Sequence, residues 1–275
     1  MTGQLGALAQ GKAAGTTGYT SKLLKTGQTT QYDSELDDGY YEVGVAKSYT
    51  VNTSGAQSGT TNVDLAHYAG AAGAIAFNNT TKKITDSGNG LAIFKTNDVI
   101  LTSSAANPGP FTVTTGNVAG EIVCSGATFT DETPAGAVTL SKREAISNNT
   151  VLDNNTGLIW LRYPSAKMGI ASNGKLYWTG YVHDIFAWCA ACNSAIVGGY
   201  TDWRIPNRNE LNSIAQEETG INSTTFPTNC HMWSSTTQKA ATSKAYYYDY
   251  STRVVSVYPK NAADLQVRLV RGGLS

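Results

Sequence analysis

Gly198-Gly199-Tyr200-Thr201-Asp202-Trp203-Arg204-Ile205-Pro206-Asn207-Arg208-Asn209-Glu210-Leu211 packs a bend, an aromatic anchor and a helix start into one short stretch. The glycine pair supplies the backbone freedom for a tight turn, and Pro206 biases Ile205 towards extended chain, so a helix entered here starts from an extended approach. Asn207 is placed to be its N-cap. Glu210, three residues on, can reach back to the cap's N–H while the Asn207 side chain accepts from the third helical N–H, the reciprocal arrangement of a capping box. The helix is predicted over about 208–215, with Leu211 and Ile214 inward at i, i+3 spacing. Trp203 and Pro206 read as core, and the Arg204 guanidinium is expected to hold a carboxylate or backbone carbonyls as part of that core.

Working outwards, Leu152-Asp153-Asn154-Asn155-Thr156-Gly157-Leu158-Ile159-Trp160 stands upstream. Downstream come Phe226-Pro227, Met232-Trp233-Ser234-Ser235-Thr236, Tyr246-Tyr247-Tyr248-Asp249-Tyr250 and Val267-Arg268-Leu269-Val270-Arg271. In this order and spacing the segments resemble the Lcl C-terminal domain family, found at the end of collagen-like bacterial adhesins and widespread on phage tail fibres and other virion proteins. The resemblance implies an α+β, C-type-lectin-like fold with two helices and twisted antiparallel strands, a fold shared with the variable receptor-binding proteins of diversity-generating retroelements. It implies no particular ligand, since this fold binds proteins, sugars and other partners through variable surface loops. Family members often pair a cysteine near Cys192 with one in the closing Val-Arg-Cys-Val-Arg strand; here that place is Leu269.

Lys+Arg and Asp+Glu balance at 20 each, and charged residues are only 15% of the 275, so neither nucleic acid nor an anionic membrane is an expected partner. The 28 glycines, 15 tyrosines and Thr-rich runs suit a β-rich protein of an extracellular or virion surface. No signal segment opens the chain and no run of eighteen apolar residues is present; a virion protein made in the host cytoplasm and released by lysis fits this pattern.

Residues 1–22, rich in Gly, Ala, Gln and Thr, read as an arm, with two readings open: a loose terminus, or a segment that orders when it docks on a virion partner or a neighbouring subunit. Residues 23–47, with Lys25-Thr26-Gly27-Gln28-Thr29 and the acidic turn Asp37-Asp38-Gly39, resemble the opening of the adhesin-type domain. From about 48 to 144, short apolar or alternating runs separated by Asn, Gly, Pro and Thr clusters predict an inserted all-β barrel or sandwich module. Its Asp98-Val99-Ile100-Leu101, Asn107-Pro108-Gly109-Pro110-Phe111-Thr112-Val113 and Glu121-Ile122-Val123 segments are similar to small β modules of phage tail and head-appendage proteins. The lectin-like part resumes over 145–275. There a helix is predicted over 181–195 from Val182, Ile185, Phe186 and Cys189, with Trp188 in the core, and strands are expected around Met232-Trp233, over 244–250, 253–258 and 265–271. Trp160 and Trp233 are also assigned to the core.

The sequence carries no catalytic constellation: His67, His183 and His231 lie far apart, and none stands beside a nucleophile motif. Cys189, Cys192, Cys230 and His231 have zinc-ligand chemistry, but neighbours such as Cys230 and His231 rarely both reach one ion, so buried thiols, no metal and no cofactor are expected. No carboxylate and amide cluster of the calcium-dependent sugar-binding kind is present.

The expected binding surface is aromatic. On a strand Tyr246, Tyr248 and Tyr250 share one face and Tyr247 the other, and whichever face is solvent presents tyrosines, which bury large area at little entropic cost. Tyr247, Tyr250 and Arg253, extended by Tyr177, Trp178 and Tyr181, form the candidate surface. The reading is a phage virion appendage protein, a homotrimer by analogy with fibres, that recognises a protein or glycan receptor on the host. Its alternative is a decoration or joining protein touching only other virion subunits.

Overall fold

The computed structural model of the chain describes residues 25, 28, 30, 45–53, 59–165, 175–180, 184–216, 220–227, 230–262 and 265–272. The 1–22 arm, most of 23–47, and Tyr181, Val182 and His183 lie outside these residues. The described chain is mostly antiparallel sheet, with two short α-helices, α1 (Ile185–Ser194) and α2 (Arg208–Ser213).

The hairpin that opens the motif-bearing part is written in its turn. Asp153 ends β9 (Thr150–Asp153), and its carboxylate accepts from the Asn155 N–H at 2.9 Å and the Thr156 hydroxyl at 2.7 Å. Gly157, at φ 72°, then turns the chain into β10 (Leu158–Leu161). β1 (Tyr49–Asn52) and β16 (Val270–Gly272) flank this hairpin in the order β1-β9-β10-β16. Residues 49–52, which the sequence reading places within the 48–144 stretch, pair into the sheet of the Trp160 motif: Tyr49 through Asn52 match Asp153 through Thr150 rung for rung.

A second sheet, β13 (His231–Thr237), β14 (Lys244–Asp249) and β15 (Val254–Pro259), separates two hydrophobic clusters. On one side Trp233 and Ala245 meet Ile185, Trp188, Cys189 and Cys192 of α1, together with Trp203, Val267 and Leu269. On the other, Met232, Tyr248 and Tyr250 meet Leu211 and Ile214, with Trp160, Phe226 and Val270. Arg268 ties the closing segment to both: fully buried, it donates to the carbonyls of Leu161, Arg162 and Pro227 and lies 5.2 Å from the Phe226 ring. Leu269 fills the first cluster beside the thiols, where the family pattern would place a cysteine.

Both helices are shorter than their sequence signal. α1 starts at Ile185 because the Asp184 carboxylate caps it, accepting from the N–H groups of Phe186 and Ala187. Its buried stripe is Ile185, Trp188, Cys189 and Cys192, which turns Phe186 outwards rather than into the core. Ile196 in the left-handed region then reverses the chain, and Gly198, at φ 66°, packs so closely that a Cβ would meet Thr150 Cγ2 at 3.2 Å. α2 carries the capping box, with the Asn207 side chain accepting from Asn209 and Glu210 N–H and Glu210 accepting from the Asn207 N–H. It ends at Ser213, since Ala215-Gln216 leaves to form β11 (Ala215–Gln216) against β12 (Gly220–Ile221). Trp203 and Pro206 are buried, but Arg204 is not a core residue: its side chain is 43% exposed, and its guanidinium grips Glu210 with two hydrogen bonds.

Between β1 and β9 runs the rest of the β structure. β2 (Thr60–Gly70) and β8 (Val138–Ser147) pair along their whole length, from Thr60 against Ser147 to Gly70 against Val138, with a bulge between Ala66 and Tyr68. This ribbon spans two cores. Val63, Leu65 and Ile146 join the first cluster, while Tyr68, Val138 and Leu140 pack in a third made of Ile75, Phe77, Ile84, Leu91, Phe94, Ile100, Phe111, Val113 and Ile122. The third cluster lies between two antiparallel sheets, β2-β8-β5-β6, with β5 (Val99–Thr102) and β6 (Phe111–Thr112), and β3-β4-β7, with β3 (Ile75–Asn78), β4 (Lys83–Asp86) and β7 (Glu121–Val123).

Candidate binding surface

β14 is the middle strand of its sheet, so both of its edges are paired, and its side chains pack into one cluster on each face. Tyr248 and Tyr250 are buried on one side, and the Tyr250 hydroxyl, fully enclosed, donates to the Leu211 carbonyl at 2.9 Å. Tyr250 is thereby removed from the binding surface. Tyr247, on the opposite face, is half-buried with its ring edge-on to Tyr258, 6.1 Å between centroids, and beside His231. Tyr246 is half-buried too, with the Arg208 guanidinium 5.0 Å over its ring. The tyrosine run therefore supplies packing on both faces and no open face.

Trp178 is also largely committed. Its indole N–H donates to the Ser234 carbonyl at 2.8 Å, its ring meets Phe186 edge-on at 5.0 Å, and the Lys260 ammonium lies 3.9 Å from the ring centroid while donating to the Thr237 hydroxyl at 2.8 Å. Desolvation lowers the Lys260 pKa. A ring already faced by the protein's own cation is a poor stacking platform for a sugar until that lysine moves. Tyr177 is half-buried and its backbone carbonyl accepts from the Ile185 N–H; Tyr181 lies outside the described residues.

What remains open lies along β15. Arg253, in the left-handed region at φ 64°, projects at the hairpin end, followed by Val254 and Val255 at 52% and 39% exposure. At the far end Lys260 leads through Trp178 to Phe186, 41% exposed. The turn that presents Arg253 is tied to a single carboxylate, that of Asp249. Burial alone would raise the Asp249 carboxyl, but the Ser251 and Thr252 hydroxyls and N–H groups hold it down at about 2. Phe186 and the Val254-Val255 pair were not singled out by sequence reasoning. Their apolar character reads as core until the tertiary structure shows which face of α1 is inward and that β15 is an edge.

The cysteines do not converge. Cys189 and Cys192 sit in the first cluster, whereas Cys230 packs against the second and is 2.8 Å from the Gln266 side-chain oxygen. Burial pushes Cys189 and Cys230 up to about 11 and Cys192 well above its ordinary value, which favours the thiol form and makes all three poor nucleophiles at neutral pH. Among the described residues no group of three or more His, Cys, Asp or Glu side chains is placed to hold a metal ion.

The sheet, both helices and the closing strand fall within one matched span: residues 149–271 match the family described as Lcl C-terminal domain. That span is an Lcl C-terminal domain. The domain is of the adhesin type. The third cluster, from Ile75 to Leu140, lies outside the Lcl C-terminal domain match. No curated protein and no solved structure matches the chain.

Proposed function

We propose that the chain is a phage virion appendage protein whose Lcl C-terminal domain, a C-type-lectin-like fold, adheres to a receptor on the host surface. Residues around the third cluster form the inserted β module, and the N-terminal arm docks the protein, as a homotrimer, on other virion proteins. The observation that carries the adhesive reading is the β15 flank, where exposed Arg253, Val254, Val255 and Phe186 stand on elements fixed by buried anchors in an adhesin-type domain. Rigid apolar groups with a cation beside them bind at little ordering cost.

Adsorption competition tests this reading. Purified protein added to host cells is expected to reduce phage attachment, and Phe186→Ala together with Val254→Asp is expected to lose that inhibition while keeping the wild-type circular dichroism. Folded wild-type protein that leaves attachment unchanged would refute receptor binding and favour a joining protein. For that alternative role, the exposed edge of β15 offers strand pairing to another virion subunit.

A further inference from the structure

Between the first and third clusters, on one face of the β2–β8 ribbon, three charged side chains are shut in together. The Lys142 ammonium lies 3.1 Å from an Asp98 carboxylate oxygen and also contacts Glu144, and the three side chains are only 14, 12 and 10% exposed. Lys142 stands directly opposite Leu65 on β2 and Ile100 on β5, and Glu144 opposite Val63; all three apolar partners are buried. Paired positions share a sheet face, so the charges are walled by aliphatic side chains. Two carboxylates and one ammonium leave an excess negative charge in an apolar joint, an arrangement whose desolvation is costly unless fully compensated.

We propose that Lys142 and Asp98 condense to an intramolecular isopeptide bond, with Glu144 as proton carrier. Glu144 takes one proton from the ammonium, and the freed amine attacks Asp98 Cγ. The Lys95 N–H, 2.9 Å from the second Asp98 oxygen, stabilises the oxyanion that forms there. Glu144 gives that proton to the departing Asp98 oxygen, takes a second from the attacking nitrogen and passes it to the same oxygen. The Nζ–Cγ bond forms, one Cγ–O bond breaks, and two of the three ammonium protons leave with that oxygen as water; no oxidant or reductant takes part.

Burial works to lower the Lys142 pKa, but Glu144 and Asp98 outweigh it and keep the pKa raised, so the ion pair is the resting state and proton transfer starts the reaction. Burial, with the nearby Asp98 charge, raises Glu144 against the lowering effect of Lys142, which suits it to hold that proton. The product buries a neutral amide where an ammonium and a carboxylate stood.

Intact-mass measurement under denaturing conditions tests the proposal on the full chain. The wild type is expected to be lighter than its sequence by one water, and Lys142→Arg, Asp98→Ala and Glu144→Ala to have full mass. Trypsin should leave residues 96–143 as one peptide short of a water, since a modified Lys142 is not cut. Subsequent cleavage after Glu121 and Glu132 should leave the pieces carrying Asp98 and Lys142 joined. Wild-type protein of full mass, or a water loss that persists in Asp98→Ala, would overturn the assignment. The wild-type measurement requires no variant to fold.

Discussion

Asp249 shows how one carboxylate sets the geometry of a loop. It ends β14 and gathers the Ser251 N–H at 2.9 Å, the Thr252 N–H at 3.2 Å and the Ser251 hydroxyl, so the four-residue turn to Val254 is organised around a single acceptor. Its folded pKa of about 2 lies below the ordinary 3.8. A carboxylate depressed in this way adds stability that is complete above the unfolded value and disappears as pH falls through the folded one. Asp249→Asn is therefore expected to cost roughly 1–2 kcal/mol at neutral pH and progressively less between about pH 4 and pH 2. Urea unfolding of both proteins across that range is the check, and a pH-independent difference would argue against this linkage. His231, 3.2 Å away, faces the same carboxylate from β13.

Among elements, α2 is the most local in its causes. Asn207, Glu210 and Arg204 are close in sequence, so the capping box and the Arg204–Glu210 pair need no distant partner to be inferred. Asn207→Ala removes the acceptor for two N–H groups of a six-residue helix. The change is expected to lower stability by about 1 kcal/mol, read as a shift in the urea midpoint at unchanged slope. The same locality made the strands around Met232 and Tyr247 legible in the sequence. Phe186 and Tyr250 were not legible in this way. Period alone places Phe186 on an apolar face of α1, but Asp184 sets where the helix begins and the Trp188–Cys192 stripe wins the inward position. Tyr250 looked like a surface tyrosine because nothing nearby announces that α2 will cover that face of the sheet and offer the Leu211 carbonyl. The Lys260 contact with Trp178 joins residues far apart in sequence, which no local pattern could reveal.

At the scale of the molecule, the short apolar runs were legible as strands, but which strands pair was not. Turn clusters and short apolar runs marked the strands packed around Ile75, Phe77 and Ile122, because each run carries its own alternation. The pairing of β1 with β9 bridges about a hundred residues, and the contribution of Val63, Leu65 and Ile146 to the first cluster depends on how far the β2–β8 ribbon extends. Separate clusters predict separable folding. Replacing residues 71–137 by a two-residue Asn-Gly turn, with polar residues at Tyr68, Val138 and Leu140, should leave a soluble protein that unfolds in one cooperative step and keeps the near-ultraviolet signal of its buried tryptophans. An unfolded or aggregated product would mean that the Lcl C-terminal domain depends on the third cluster for its own stability.

The β2–β8 ribbon also has mechanical consequences. Both strands cross from one core to the other side by side, so tension along the ribbon is shared by two covalent backbones and puts little shear on the rungs between them. The bulge between Ala66 and Tyr68 adds twist at Ser141 and Leu140, where β5 also pairs with β8, so a third strand braces the ribbon at that point. A pull on either core is thus passed to the other along two backbones at once, and the third strand stands where the twist of the bulge would otherwise be least supported.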